Sequence, residues 1–174
     1  MIQRVKQVIA ALTATISADD WEFVRNHLNK DGERLFAAMN LPDKRHVLNV
    51  AHTAMKLAAG VDIVDKPLLI RCALLHDAGK QQGDVSTWDK IAAVLAHNLA
   101  PRWARRWAEQ GRGTKIANLR HAFHIYFHHA ARSAAMLRAL GMEAEAEIVA
   151  CHHDAPQPGE PIELTLLRQA DNLH

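Results

Sequence analysis

Twelve histidines against eight glycines in 174 residues reverse the usual order of abundance. Five places combine imidazole with carboxylate or with a second imidazole: His46, the dipeptide His76-Asp77, the cluster His121/His124/His128/His129, the pair His152-His153, and Asp171. Each falls on a separate predicted helix, so five helices could converge on one point. Imidazole with carboxylate suits borderline and moderately hard divalent ions such as Mn, Fe, Co, Ni and Zn. Cys72 and Cys151 do not form a pair at metal-site spacing, which argues against a structural thiolate zinc.

His76-Asp77 is the sharpest element. It follows the apolar run Ala73-Leu74-Leu75 and precedes Gly79, so both groups are expected near the core, in the last turn of a helix. There the macrodipole disfavours a carboxylate by about 0.3–1 kcal/mol, and a buried anion is costly unless a cation offsets it. A bound metal is such a cation. A helix-end histidine beside an exposed aspartate is the plainer alternative for these two residues alone. Taken singly, His46, beside Val47 and Val50, reads as a core histidine and Asp171 as a surface carboxylate, while His152-His153, after the apolar turn Ile148, Val149 and Cys151, is less often a solvated face than a site.

The elements that must position these groups are all helical. Pro and Gly fall between segments of helical periodicity, and no run of alternating β-branched residues stands out. Helices are predicted over Ile2 to Thr13, from Ser17 with Trp21, Val24 and Leu28 as its stripe, over Gly32 to Met39, and over Lys44 to Ala59 behind Pro42. Lys66 to Ala78 is nearly continuously apolar, as a central helix would be, and Gly79 is expected to end it. Further helices are predicted over Ser86 to Ala100, Pro101 to Gln110, Ile116 to Leu140, Glu143 to His153 and Ile162 to Asn172. The expected architecture is an all-α bundle over residues 43–174 with an N-terminal helical cap over residues 1–42.

Composition bounds the partners. Hydrophobic residues at 49% and charged residues at 23% describe a globular chain. A net charge of +2 is too balanced to point to nucleic acid or a membrane surface. No apolar run approaches the roughly 18 residues of a membrane span, and MIQRVKQVIAALTATISADDW does not resemble a signal peptide. A reduced, cytoplasmic chain is the expectation.

Written in order, RHVLNVA, ALLHDAGK, HHAARSAAML, CHHD and RQADN give the pattern H…HD…H…HH…D. This pattern resembles the HD-domain metal-dependent phosphohydrolase superfamily, and most of all its HDIG-type branch with extra histidines. The resemblance spans residues 43–174, and its best motif, HDAGK, has Ala78 where Ile is usual. The spacings agree: 30 residues from His46 to His76, 52 from Asp77 to His129 and 23 from His129 to His152. It implies that His46, His76, Asp77 and Asp171 are the four defining metal ligands. It also implies that His129 is the added ligand of binuclear members, since Ser133 and Leu137 supply the small residue and the Leu that follow it, whereas His128 is followed by Arg132 and Met136. His152 and His153 match the HH motif, one or both ligating.

The implied enzyme is a phosphohydrolase with two divalent ions bridged by Asp77, drawn from Fe, Mn, Ni, Co or Zn with Mg as a further option. A metal-activated hydroxide would attack phosphorus while Lys80 stabilises developing charge. Its substrate would be a phosphorylated small molecule, with nucleotides and dinucleoside polyphosphates among the candidates. HHDAPQPGEP lacks the GYP of cyclic dinucleotide phosphodiesterases, and Pro42 stands where trinuclear members carry Glu, so that substrate is disfavoured. A diiron oxygenase and a non-catalytic metal- or nucleotide-binding sensory module are the alternatives. Outside the motif, Arg102, Arg105, Arg106, Arg112, Lys115 and Arg120 with Trp103 and Trp107 read as an amphipathic face, Trp inward and Arg outward. His121, His124 and His128 read as a partly solvated stripe, and His27, His52 and His97 have no evident partner.

Overall fold

The computed structural model describes residues 15–174, and the helix expected over Ile2 to Thr13 lies outside the described residues. Helix α1 (Ala18–His27) opens with the reciprocal cap that the Ser17–Asp20 spacing predicts. The Asp20 N–H donates to Ser17 Oγ at 3.1 Å, and the Ser17 N–H donates to Asp20 Oδ2 at 2.8 Å. Helix α2 (Lys30–Ala38) starts behind Asn29, whose Oδ1 accepts from the Gly32 N–H. Helix α3 (Leu41–Leu57) holds Pro42 in its first turn, where a missing N–H costs nothing. Asp65, Ser86 and Thr114 cap α4 (Lys66–Leu75), α5 (Thr87–Leu99) and α7 (Lys115–Ala139), while Pro101 begins α6 (Pro101–Trp107). Helices α8 (Glu143–Ala150) and α9 (Ile162–Asn172) complete the nine among the described residues, and the fold is all-α.

The apolar run of α4 is buried on every side: Leu69, Ile70, Cys72, Ala73, Leu74 and Leu75 all lie in the core. This helix packs against α3, α8 and α9 and is also covered by α1 and α2. Each of its buried leucines contributes about 1.5–3 kcal/mol of transfer free energy. Val24 of α1 and Phe36 of α2 belong to the same core. Arg45 of α3 ties α1 down through a two-pronged ion pair with Asp20, at 2.5 and 3.2 Å. A smaller cluster of Ala93, Ala104 and Phe123 holds α5 and α6 on the N-terminal half of α7.

Two ends differ from expectation in a way that matters for the site. Helix α4 stops at Leu75 and α8 at Ala150, each three residues earlier than the periodicity predicts. In both places a histidine Nδ1 donates to a last-turn carbonyl, His76 to Ala73 and His152 to Val149, and competes with the helical ladder for it. His76-Asp77 and His152-His153 therefore sit in the turns that follow helices. Among the described residues, no helix is long and apolar enough to cross a membrane.

Candidate metal centre

Five elements deliver the predicted residues to one place. His46 comes from α3, His76, Asp77 and Lys80 from the turn after α4, His129 from α7, His152 and His153 from the turn after α8, and Asp171 from the last turn of α9. Three overlapping groups of donor atoms result, each within 4.8 Å: His46/His76/Asp171, His76/Asp77/His152 and His129/His152/His153. His46 Nε2 lies 2.9 Å from Asp171 Oδ1, and His129 Nε2 lies 2.8 Å from His153 Nε2. Asp77 stands between the two ends. Its Oδ2 is 3.9 Å from His46 Nε2 and 3.8 Å from His76 Nε2, and its Oδ1 is 3.4 Å from His129 Nε2.

The rings are aimed by the backbone. His76, His129 and His152 each use Nδ1 to bond the carbonyl three residues earlier, of Ala73, Tyr126 and Val149, at 2.9, 2.8 and 2.6 Å. That hydrogen bond puts the proton on Nδ1 and leaves an Nε2 lone pair facing inward, the arrangement of a metal-binding imidazole. His76 Nε2 and His152 Nε2 are buried without a hydrogen-bond partner, and the nearest Asp171 oxygen to His76 Nε2 is 3.6 Å away. Buried polar atoms are normally satisfied. Convergent, orphaned imidazole nitrogens beside two carboxylates fit a divalent cation.

Protonation states suit the same occupant. Burial pushes the His129 imidazole down to about 3, with the Lys80 charge adding to the effect. Burial and the neighbouring His76 hold His152 well below its ordinary range, and burial and Lys80 lower His153. Burial opposes ionisation of Asp77, but Lys80 and the imidazoles of His76, His129 and His46 outweigh it and hold the carboxyl low. For Asp171, burial is overcome by the contact with His46 at 2.9 Å and by the neighbouring imidazole of His76. Burial likewise opposes charge on His76 and Lys80, and the aspartates outweigh it, raising both. Neutral imidazoles on the His129 side and ionised carboxylates are the forms that bind metal.

Gly79 has a different role from the one expected. Its φ is not in the left-handed region, so it is not a helix-ending glycine of that kind. Instead, the turn runs against α7: a Cβ at Gly79 would lie 2.6 Å from the His129 carbonyl oxygen and 3.0 Å from Ser133 N. The Gly79 N–H donates to Ser133 Oγ at 2.8 Å, locking the turn that bears Asp77 to the helix that bears His129. Gly79→Ala must push the two apart. It should cost about 1–3 kcal/mol and lower metal content, read by thermal denaturation and elemental analysis; wild-type values for both would show that this contact is slack.

Other residues fall outside the centre. His128 is exposed and apart from it, and Arg132 donates to Asp84 at 2.6 Å. His121, His124 and His128 do form a stripe, with ring centroids 6.3 and 4.6 Å apart, running from buried to exposed. His27 and His52 pack on Phe23, and His97 packs on Tyr126 and Phe127. Trp103 does not point inward as expected: it is 53% exposed and stacks on Trp107, which meets Phe123 edge-on. A seven-residue helix buries little, and of α6 only Ala104 is fully covered. The residues that sequence reasoning missed are Ala73, Tyr126 and Val149, whose contribution is a carbonyl, and Gly79 as a contact. A histidine at a helix C-terminus, where last-turn carbonyls lack partners, is the signal for two of the three.

No curated protein and no solved structure matches the chain at a significant level. The family model described as HD domain matches residues 44–174, from α3 to the C-terminal residue, and takes in every side chain of the cluster. The chain belongs to the HD domain family, which is generally one of metal-dependent phosphohydrolases.

Proposed function

We propose that the chain is a phosphohydrolase that holds two divalent transition-metal ions and acts on a phosphorylated small molecule, with nucleotides and dinucleoside polyphosphates the first substrates to test. The observation that carries this reading is the division of Asp77, one oxygen toward His46 and His76 and the other toward His129. His46, His76 and Asp171 would hold one ion, His129, His152 and His153 the other, with Asp77 shared. The chemistry supplied by such a pair is a water acidified toward neutral pH and polarised phosphoryl oxygens.

The chain's own groups do the rest. Lys80 Nζ lies 2.7 Å from Asp77 Oδ1 and 2.8 Å from Oδ2, and its charge is fixed by Asp77 against the cost of burial. A phosphoryl oxygen at the centre therefore meets a fixed cation, which stabilises charge as it develops. A polar cavity of about 590 Å³, lined by His152, His153, Asp171 and Arg168, opens beside the cluster and admits substrate and water. Arg168 is held there by Glu160 at 2.5 Å and the Cys151 carbonyl at 3.0 Å.

Metal analysis combined with a phosphatase and nucleotide panel tests the proposal, and Lys80→Ala sharpens it. The variant should retain its metals and lose about 10²-fold in kcat/KM, the scale of one lost charge-stabilising donor. Loss of metal instead, or full activity on a turned-over substrate, would remove Lys80 from the substrate's side of the site. Iron with O₂-dependent turnover and no phosphate release would replace hydrolysis with oxygenation.

A further inference from the structure

Lys80 lines a second cavity, which shares no lining residue with the one at His153 and Arg168. This one measures about 190 Å³, and its walls are Val85, Ala93 and Val94 on one side and Ala122, Ile125 and Tyr126 of α7 on the other. Ala93, Ala122 and Ile125 are 1%, 3% and 5% exposed, so the space reaches into the core between α5 and α7. Small side chains at Ala93 and Ala122 leave unfilled a volume that larger ones would close, and an apolar void lowers stability. An apolar cavity of about 150 Å³ stays dry and takes benzene. At 190 Å³ this one is smaller than the roughly 300–1,000 Å³ that houses a whole drug-sized ligand, so it suits one ring system.

The polar end sets what the ring is attached to. Lys80 has its ammonium on Asp77, so the cavity begins where the metal centre ends. Among the described residues, Asp43 is the other charged one in the lining, and its Oδ2 accepts from Asn40 Nδ2 at 3.2 Å. A carboxylate at that point disfavours a second phosphate beside it. We propose that this cavity is a subsite for a flat ring, an aryl group or a nucleobase, carried by the phosphorylated substrate whose phosphoryl group lies at Asp77 and Lys80. The inference rests on the phosphohydrolase reading and adds selectivity for ring-bearing phosphate esters over simple alkyl phosphates and pyrophosphate.

Calorimetric titration of the metal-loaded protein with phenylphosphonate and methylphosphonate tests this without turnover. Burial of the ring should make phenylphosphonate at least about tenfold tighter. Ala122→Leu fills the cavity and should bring the two within about twofold while leaving methylphosphonate binding and metal content unchanged. Ile125→Ala enlarges it and should move the preference toward 1-naphthylphosphonate, a gain that a poorly folded variant could not show. Equal wild-type affinities for the two phosphonates, or a preference untouched in a metal-loaded Ala122→Leu variant, would overturn the subsite while leaving hydrolysis standing. Failure of both phosphonates to bind, with no phosphate ester turned over by the wild type, would remove the phosphohydrolase reading and the subsite with it.

Discussion

Replacing Asp77 by Asn should lower hydrolysis by at least about 10³-fold, the scale of a lost electrostatic element in an active site. The substitution keeps the size of the side chain and removes its charge. In the wild type that charge is held 2.7 Å from Lys80 and within 3.4 to 3.9 Å of the imidazoles of His46, His76 and His129. An amide cannot neutralise two cations, and it offers one oxygen where the carboxylate offers an oxygen to each side. Helix content should stay near wild type by circular dichroism, because the helical core around Leu69 and Leu74 does not involve the Asp77 charge. A variant that keeps more than a tenth of wild-type phosphatase activity would show that Asp77 is not the shared group.

The metal count should show the second large effect: close to two ions per chain are expected after purification with Mn or Fe supplied. His46, His76, Asp77 and Asp171 would by themselves complete a one-metal site, which would have no use for further imidazoles. Yet His129 is buried and neutral, its Nδ1 committed to Tyr126 and its Nε2 facing Asp77 Oδ1 and His153. His129→Ala should reduce the count toward one. His46→Ala, which acts next to Asp171 at the other end, should strip the other ion first. The difference between the two variants is the informative quantity, since general unfolding would empty both sites alike. One ion in the wild type and no change in His129→Ala, by elemental analysis, would make these histidines structural and the centre mononuclear.

How much of this was legible beforehand follows from the range of the interactions. Caps are local, so Ser17 with Asp20 marked the start of α1, and Ser86 the start of α5, from neighbours three residues away. The nearly continuous apolar stretch of α4, broken only by Arg71, could be stable only inside, and it is inside. Residue types in order, H…HD…H…HH…D, named the cluster because imidazole and carboxylate are the groups that divalent ions need.

Orientation belonged to the tertiary structure. The motif wording already preferred His129 to His128, and the structure shows the physical difference: one helical step of about 100° separates an exposed ring from one facing Asp77. Whether a histidine Nδ1 would take a last-turn carbonyl, and so end α4 and α8 early, depended on a ring turned inward by packing. Gly79 reads locally as a helix stop, and only the approach of α7, which leaves no room for a Cβ, shows why it is glycine. The void beside Lys80 is likewise a property of two helices held apart. Short-range hydrogen bonds and residue chemistry are written along one segment of chain; orientation, close approach and empty space arise between segments distant in sequence, and only their packing decides them.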